Sequence, residues 1–375
     1  MRVLYFHRMD GVHDRRFIDA LGHLPVDVFT LRLENPARPM SEWKPATNIH
    51  PLSFTGGINK FNLYQMSRIH KTLQQIVRDY QIDVVHAGPV DQCAWLAARA
   101  NLVPLVSMSW GFDLLVNAKV SSISRRRIKY TLERTTILLD DCQTVSNAAA
   151  AYGFPQAQII TFPWGVDLKA YYPRDIKKSG NTPQDSKSIV LLSTRTMEKL
   201  YGCDVIIEAF IEAARQEPGL RMIMLGDGNQ RQNLMRRIAA VELEDRVHFA
   251  GNLPEDEMTA QFHASDIYIS ASQSDGSSVS LLQAMACGLP AIVSDIPGNR
   301  EWVSEGRNGW LFKVGDHHEL ARLMIEASRS LELRSDYGKT SRIIVKDRAN
   351  WGKNFPRLMD AYRMAIELGR AGDAG

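Results

Sequence analysis

The sequence predicts an α/β protein of two doubly wound lobes, each a parallel sheet covered by helices on both faces, and three observations carry that prediction. At 375 residues the chain exceeds what one hydrophobic core ordinarily serves, so two cores of similar size are expected. Short apolar runs rich in β-branched residues alternate with segments of helical periodicity, the signature of strand–helix–strand units and a parallel sheet. The alternation breaks once, after Trp164-Gly165-Val166-Asp167, at the polar stretch from Arg174 to Ser188, and then starts again.

In the first lobe the strand candidates are Val3–Phe6, Val26–Leu31, Ile82–His86, Leu105–Met108, Thr144–Ser146 and Ile159–Phe162. The second repeats the pattern with Ile189–Ser193, Met222–Leu225, Val247–Phe249, Ile267–Ser270 and Ala291–Ser294. The expected division is 1–168, 169–348 and a closing segment 349–375. In that segment Trp351, Phe355, Leu358, Met359, Tyr362 and Ile366 recur at helical spacing, and the helix is expected to cross back to the first lobe. Two such lobes are expected to face each other across a cleft at the carboxyl ends of their strands, where doubly wound sheets take ligands.

Composition removes several function classes. Hydrophobic content of 45% and charged content of 23% are ordinary for a globular enzyme, and no apolar run has the length of a membrane span. His7, Arg8 and Asp10 interrupt the N-terminal apolar run far short of a signal-peptide core, so a cytoplasmic location is expected. Cys93, Cys142, Cys203 and Cys287 are scattered without metal-ligand spacing, which fits a reducing compartment and gives neither a zinc site nor a disulfide framework. A net charge of +3 does not call for nucleic acid. Its distribution is uneven: residues 1–165 hold 18 Lys and Arg against 13 Asp and Glu, the remainder 27 against 29. Arg125-Arg126-Arg127, with Lys119 and Lys129 nearby, reads either as a solvated helix face or as a contact to an anionic membrane surface at the inner face of the membrane.

The most informative segment is SASQSDGSSVSLLQAMACGLPAIVSD, Ser270 to Asp295. It compresses a strand, a Gly/Ser turn, a helix and a second strand into one unit. In Asp275-Gly276-Ser277-Ser278 the glycine admits close backbone approach and the serines can cap the following helix, whose open amides favour an anion such as a phosphate. Asp275 can accept from sugar hydroxyls. Taken alone, the turn is equally an ordinary strand-to-helix connection. Arg195 follows the strand Ser188–Ser193 and Lys199 comes four residues later; an arginine there can fork across a diphosphate and a lysine can meet charge on a leaving group. Gly226-Asp227-Gly228 and Gly251-Asn252-Leu253-Pro254 are further strand-end turns, the second suited to packing a flat base against backbone. Asp140-Asp141 reads as an element terminus rather than a metal pair, and Glu255-Asp256-Glu257 as the acidic first turn of a helix. HExxH, GxSxG, Walker and first-strand GxGxxG motifs do not occur.

These residues resemble glycosyltransferase family 4, the retaining GT-B-fold enzymes that use nucleotide-sugar donors. The resemblance rests on WGVD before the polar stretch, Arg195 with YGCDVIIEAF, LGDG, HFAGNLP, ASDIYISAS, SDGSSVSLLQAMACGLPAIVSD and NGWLF, in family order through the second half. It implies a GT-B fold and transfer of a sugar from a UDP- or GDP-sugar to a hydroxyl on a sugar, glycolipid or polysaccharide, with no metal and no cofactor beyond the donor. On that resemblance Arg195, Lys199 and Asp275 are the expected catalytic residues. Tyr201, Gly226, Asp227, Gly228, Asn252, Leu253, Gly276, Ser277, Ser278, Val279 and Gln283 are expected on the donor side.

The chain departs from the family pattern in several places. Asp275 and Gln283 stand where two glutamates eight residues apart are usual, and Gln283 keeps one carbonyl acceptor but no charge. Tyr201 stands before Gly202 where the family commonly has lysine. The first lobe lacks a paired-glycine loop, having His7-Arg8-Met9-Asp10-Gly11-Val12-His13-Asp14, and has Trp110-Gly111-Phe112-Asp113 where relatives often show His-Gly. Gly11, His13, Trp110 and Asp113 are therefore the expected acceptor-side residues. The departures also motivate an alternative, a nucleotide-sugar-binding but weakly catalytic partner subunit of a glycosyltransferase assembly.

Overall fold

The computed structural model describes residues 1–9, 11–35, 44–54, 58, 61–174 and 188–373. Apart from its two ends, the polar stretch Arg174 to Ser188 lies outside the described residues, as does Asp10 of the first-strand loop. The chain divides into two compact units: residues 1–162 with 355–375, and residues 163–354.

The first unit is a seven-stranded sheet of β1 (Arg2–His7), β2 (Asp27–Arg32), β3 (Ile49–Leu52), β4 (Val84–Gly88), β5 (Leu105–Met108), β6 (Ile137–Asp140) and β7 (Ile159–Thr161), in the order β3-β2-β1-β4-β5-β6-β7. Every pairing is parallel; Val3 faces Val28 on one side and Val84 on the other. Both sheet faces are covered, so the strands carry continuous apolar runs rather than alternation. Leu4, Phe6, Leu31 and Val85 pack with Ile69, Leu73 and Leu96 from helices, while Leu138 packs with Ile128, Leu132 and Val145. The helix Arg357–Asp373 belongs to this unit and lies against β4, β5 and β6. Its Tyr362 hydroxyl meets the buried His86 Nδ1 at 2.7 Å.

The second unit repeats the plan with β8 (Ile189–Ser193), β9 (Leu220–Leu225), β10 (Val247–Gly251), β11 (Ile267–Ser270), β12 (Ala291–Ser294) and β13 (Gly309–Phe312), all parallel in the order β10-β9-β8-β11-β12-β13. Successive residues serve opposite faces: Leu191, Ile269 and Ile292 join Phe210 and Met324, whereas Leu192, Tyr268 and Val293 join Leu282, Met285 and Trp302.

Ten of the eleven strand candidates coincide with strands to within two residues, and one is corrected. Thr144–Ser146 lies inside the helix Gln143–Ala150, and the strand is the preceding Ile137–Asp140. Only Val145 of the three is apolar, and it is buried with Ala149 four residues on, a helical contact. The four residues of Ile137–Asp140 are all buried, as an interior strand requires. The edge strands β3 and β13 were not among the candidates; β3, Ile-His-Pro-Leu, is interrupted by a polar residue and a proline and has only its first residue buried. The closing segment is two helices, Trp351–Asn354 and Arg357–Asp373, separated at Phe355-Pro356 because proline cannot donate into a continuing helix.

Candidate functional site

Doubly wound sheets reverse their direction of growth at one pair of strands, and the turns leaving the carboxyl ends of that pair diverge and leave room for a ligand. In the second unit the pair is β8 and β11. The turn after β8 carries Arg195, and the turn after β11 carries Asp275. Arg195 Nη2 lies 2.7 Å from Asp275 Oδ2, with the two side chains 11% and 20% exposed. Nη1 donates to Ser278 Oγ at 2.7 Å and to Ser280 Oγ at 3.2 Å, and the guanidinium carbon lies 4.2 Å from the Tyr201 ring centroid. The Nε–H is buried and has no hydrogen-bond partner among the described residues, so one donor of the fork is uncommitted. Burial works against the guanidinium charge, but the adjacent Asp275 carboxylate leads the groups that offset it, and the pKa is raised above the usual arginine value.

A second tier fixes this arrangement. Tyr268 on β11 brings its hydroxyl to 2.9 Å from Ser280 Oγ, and burial raises the phenol's pKa, so it remains a neutral partner. Ser278 caps the helix Val279–Ala286, whose first-turn amides have no carbonyl within the helix to bond. Trp302 Nε1 donates to Ser277 Oγ at 3.1 Å. Gly298 lies so close beneath the turn that a Cβ there would stand 2.4 Å from Asp275 O and 2.6 Å from Gly276 O. The short turn Lys199–Tyr201 is tied to the same loop by Gln273, whose N–H donates to Leu200 O at 2.9 Å and whose Nε2 donates to Lys199 O at 3.3 Å.

The structure brings together Arg195, Tyr201, Asp275 and Ser278, with Gly276 and Ser277 buried in the same turn. Lys199 is exposed, and no described contact draws its ammonium into that cluster. Gln283 is partly buried, one turn beyond Val279 on the capped helix. Gly226, Asp227 and Gly228 form the turn after β9 and are packed on the Arg195 loop: Met197 N–H donates to Asp227 O at 2.9 Å, and a Cβ at Gly228 would stand 2.5 Å from Met197 O. Their glycines thus serve the close approach of two loops. Asn252 is exposed after β10, and Leu253 packs on the apolar cluster of the unit. Tyr268, Ser280, Gly298 and Trp302 were not expected from the sequence. Ser280 carries the one usable signal, an SxS pair astride the helix start; the others are separated in sequence from the motif they support.

In the first unit Gly11 is the N-cap of the helix Val12–Leu21. The exposed His13 stacks on Trp110 with ring centroids 5.7 Å apart and planes at 26°, and Phe17 meets the same indole edge-on at 6.0 Å. Asp113 is different: it is fully buried, and its carboxylate accepts from Ser109 Oγ at 2.6 Å, Val90 N at 2.8 Å and Leu114 N at 3.0 Å. Burial lifts its pKa to about 6 against the pull of these hydrogen bonds. Such a group braces the turn after β5 from within, unlike the exposed His13. Arg125 and Arg126 are exposed on the helix Ser122–Leu132, beside Val120 and Ile123, exposed by 76% and 62%. Arg127 separates from them, its guanidinium 4.2 Å above the Trp95 ring. Among the described residues no helix is long and apolar enough to cross a membrane.

Two parallel α/β units and a paired cation and acid at the switch point of the second define the class, and comparison with known proteins gives it a family. Residues 174–343 match the family described as glycosyl transferases group 1, and residues 2–143 match glycosyl transferase 4-like. The chain is 23% identical over 297 residues to N-acetyl-alpha-D-glucosaminyl L-malate synthase of Bacillus anthracis, covering 76% of each. It is 27% identical to D-inositol 3-phosphate glycosyltransferase of Pseudarthrobacter chlorophenolicus, covering 95% of this chain and 90% of the relative. It superposes on Anabaena Alr3699/HepE, solved in complex with UDP, with a TM-score of 0.78 at 18% identity, covering 96% of this chain and 99% of that one. The chain is a family 4-type glycosyltransferase of GT-B fold. These relatives do not favour the reading as a weakly catalytic partner subunit.

Proposed function

We propose that this chain transfers a sugar from a nucleoside diphosphate sugar to a hydroxyl acceptor with retention of anomeric configuration, and that the donor diphosphate sits at the turn of Asp275 and Ser278. The observation that carries the reading is Arg195, held by Asp275, Ser278, Ser280 and the Tyr201 ring at the start of a capped helix. The uncommitted Nε–H and the helix-start amides supply donors for phosphate oxygens, and Asp275 supplies an acceptor for a sugar hydroxyl. UDP in the Anabaena neighbour supports a nucleotide donor of this type.

As the glycosidic bond to the diphosphate lengthens, negative charge gathers on the leaving phosphate and positive charge on the anomeric carbon. A guanidinium already fixed in place stabilises the first without reorganising. The acceptor hydroxyl attacks from the face the phosphate leaves, its proton passes to that phosphate oxygen, and the configuration is retained. Arg195 and the helix start provide the charge that a divalent ion would otherwise provide, so transfer is expected to persist in chelator. The acceptor is assigned to the first unit, around His13 and Trp110. Exposed Val120 and Ile123 beside Arg125 and Arg126 support contact of that unit with an anionic lipid surface.

A thermal-shift panel of UDP- and GDP-sugars, followed by proton NMR of the product of the stabilising donor, tests the reading. A product with the donor's anomeric configuration supports it; an inverted product, or no stabilisation by any nucleotide sugar, overturns it. For the lipid contact, sedimentation with anionic vesicles that is unchanged in Arg125→Ala/Arg126→Ala removes that part alone.

A further inference from the structure

The geometry points to a transition-metal site, suited to Zn²⁺, on the second unit and outside the donor turn, formed by Glu212, His317 and His318. Glu212 lies on the helix Cys203–Gln216, and the two histidines open the helix His317–Arg329. His318 Nδ1 is 2.7 Å from Glu212 Oε2, the two imidazole centroids are 4.0 Å apart, and one ligand atom from each of the three residues lies within 4.8 Å of the others. Tetrahedral zinc, bound at about 2.0–2.1 Å, sets its ligand atoms roughly 3.3 Å apart, so side-chain rotation alone closes the set. The helices bearing the ligands are held by a shared apolar cluster that includes Ile206, Phe210, Leu320 and Met324.

Two imidazoles and one carboxylate with a fourth position open to water are a zinc donor set, whereas magnesium and calcium prefer all-oxygen shells. Neighbouring carboxylates are already engaged with backbone: Asp316 accepts from Glu319 N at 2.9 Å and Glu319 from Lys313 N at 2.8 Å. Glu212 has His318 as its described hydrogen-bond partner. On binding, zinc takes one nitrogen of each neutral ring, the single N–H staying on the other nitrogen, and a doubly protonated ring must first release one proton to solvent. The ion then clips together two helices, one of which begins directly after the Arg195 loop at Cys203.

Calorimetric titration of tag-free, chelator-treated full chain with zinc chloride tests the site. One saturable equivalent is expected, with a rise of about 4 °C in melting temperature at saturating zinc. His318→Ala and Glu212→Gln are each expected to weaken binding at least about tenfold. Glu208→Gln, one turn earlier on the same helix and paired with Arg237 at 2.7 Å, is the matched control and should bind as the parent does. Zinc-free melts of the variants matching the parent establish that folding is unchanged; His317→Asn serves in place of any variant whose melt drops. No saturable equivalent, or parental affinity in both Glu212→Gln and the histidine variant, overturns the site.

Discussion

The turn after β11 in the second unit and the turn after β5 in the first both place an aspartate after a strand, yet the two carboxylates do opposite things. Asp275 is partly exposed and spends its charge on Arg195, whereas Asp113 is sealed in and spends its oxygens on backbone and Ser109. A carboxylate paired with a cation at the surface of a turn remains available to a ligand; one surrounded by its own chain's donors is a brace. The residues on the C-terminal side of each acid set the difference. Asp275 precedes Gly-Ser-Ser and a capped helix start, while Asp113 opens a buried helical segment, Asp113–Asn117.

The largest break in that contrast is Arg195→Ala or Asp275→Ala, each expected to lower turnover at least about 100-fold, measured as initial rates at saturating donor. Parental turnover in both would remove the roles assigned to them. Next comes acid stability. Burial depresses the His86 pKa to about 3, so the stability His86 gives by staying neutral is full above its unfolded value near 6.5 and is lost as pH falls toward 3. Asp113, lifted to about 6, works the other way: its buried charge costs stability as pH rises from about 4 to 6. Asp113→Asn is therefore expected to steepen the loss of stability between pH 6 and 4 by about 2 kcal/mol relative to the parent, read from urea melts. An unchanged slope would show that burial does not lift Asp113 above the usual carboxylate range.

Gly298→Ala tests the support beneath the donor turn. Its Cβ would overlap the Asp275 and Gly276 carbonyls, with an expected cost of about 1–2 kcal/mol in stability and a fall in donor affinity. Smallest is Gln283→Glu, which restores a charged acceptor and is expected to tighten donor binding by about 1 kcal/mol, read by calorimetry with the nucleotide sugar that stabilises the parent. Weaker binding would place Gln283 away from donor hydroxyls.

The same contrast explains what the sequence made legible. Strand and helix alternation announced two parallel sheets because both faces of each are buried, and the donor turn could be read because Asp275, Gly276, Ser277 and Ser278 are contiguous. Arg195 was recognisable as a strand-end cation. Its partners Tyr268 and Ser280, and the underlying Gly298 and Trp302, were not, since only folding sets those positions side by side. Thr144–Ser146 misled because local β-branching lost to the helical contact of Val145 with Ala149. The burial of Asp113 was not legible either, since it depends on Val90 and Ser109, which the sheet brings to it.

His86 and Tyr362 are 276 residues apart, and the entire second unit lies between them in the chain. A ribosome must therefore finish that intervening globule before the helix that shields the first sheet can emerge and dock. Until then, the early-made half has to wait with its face over β4, β5 and β6 uncovered by its last helix.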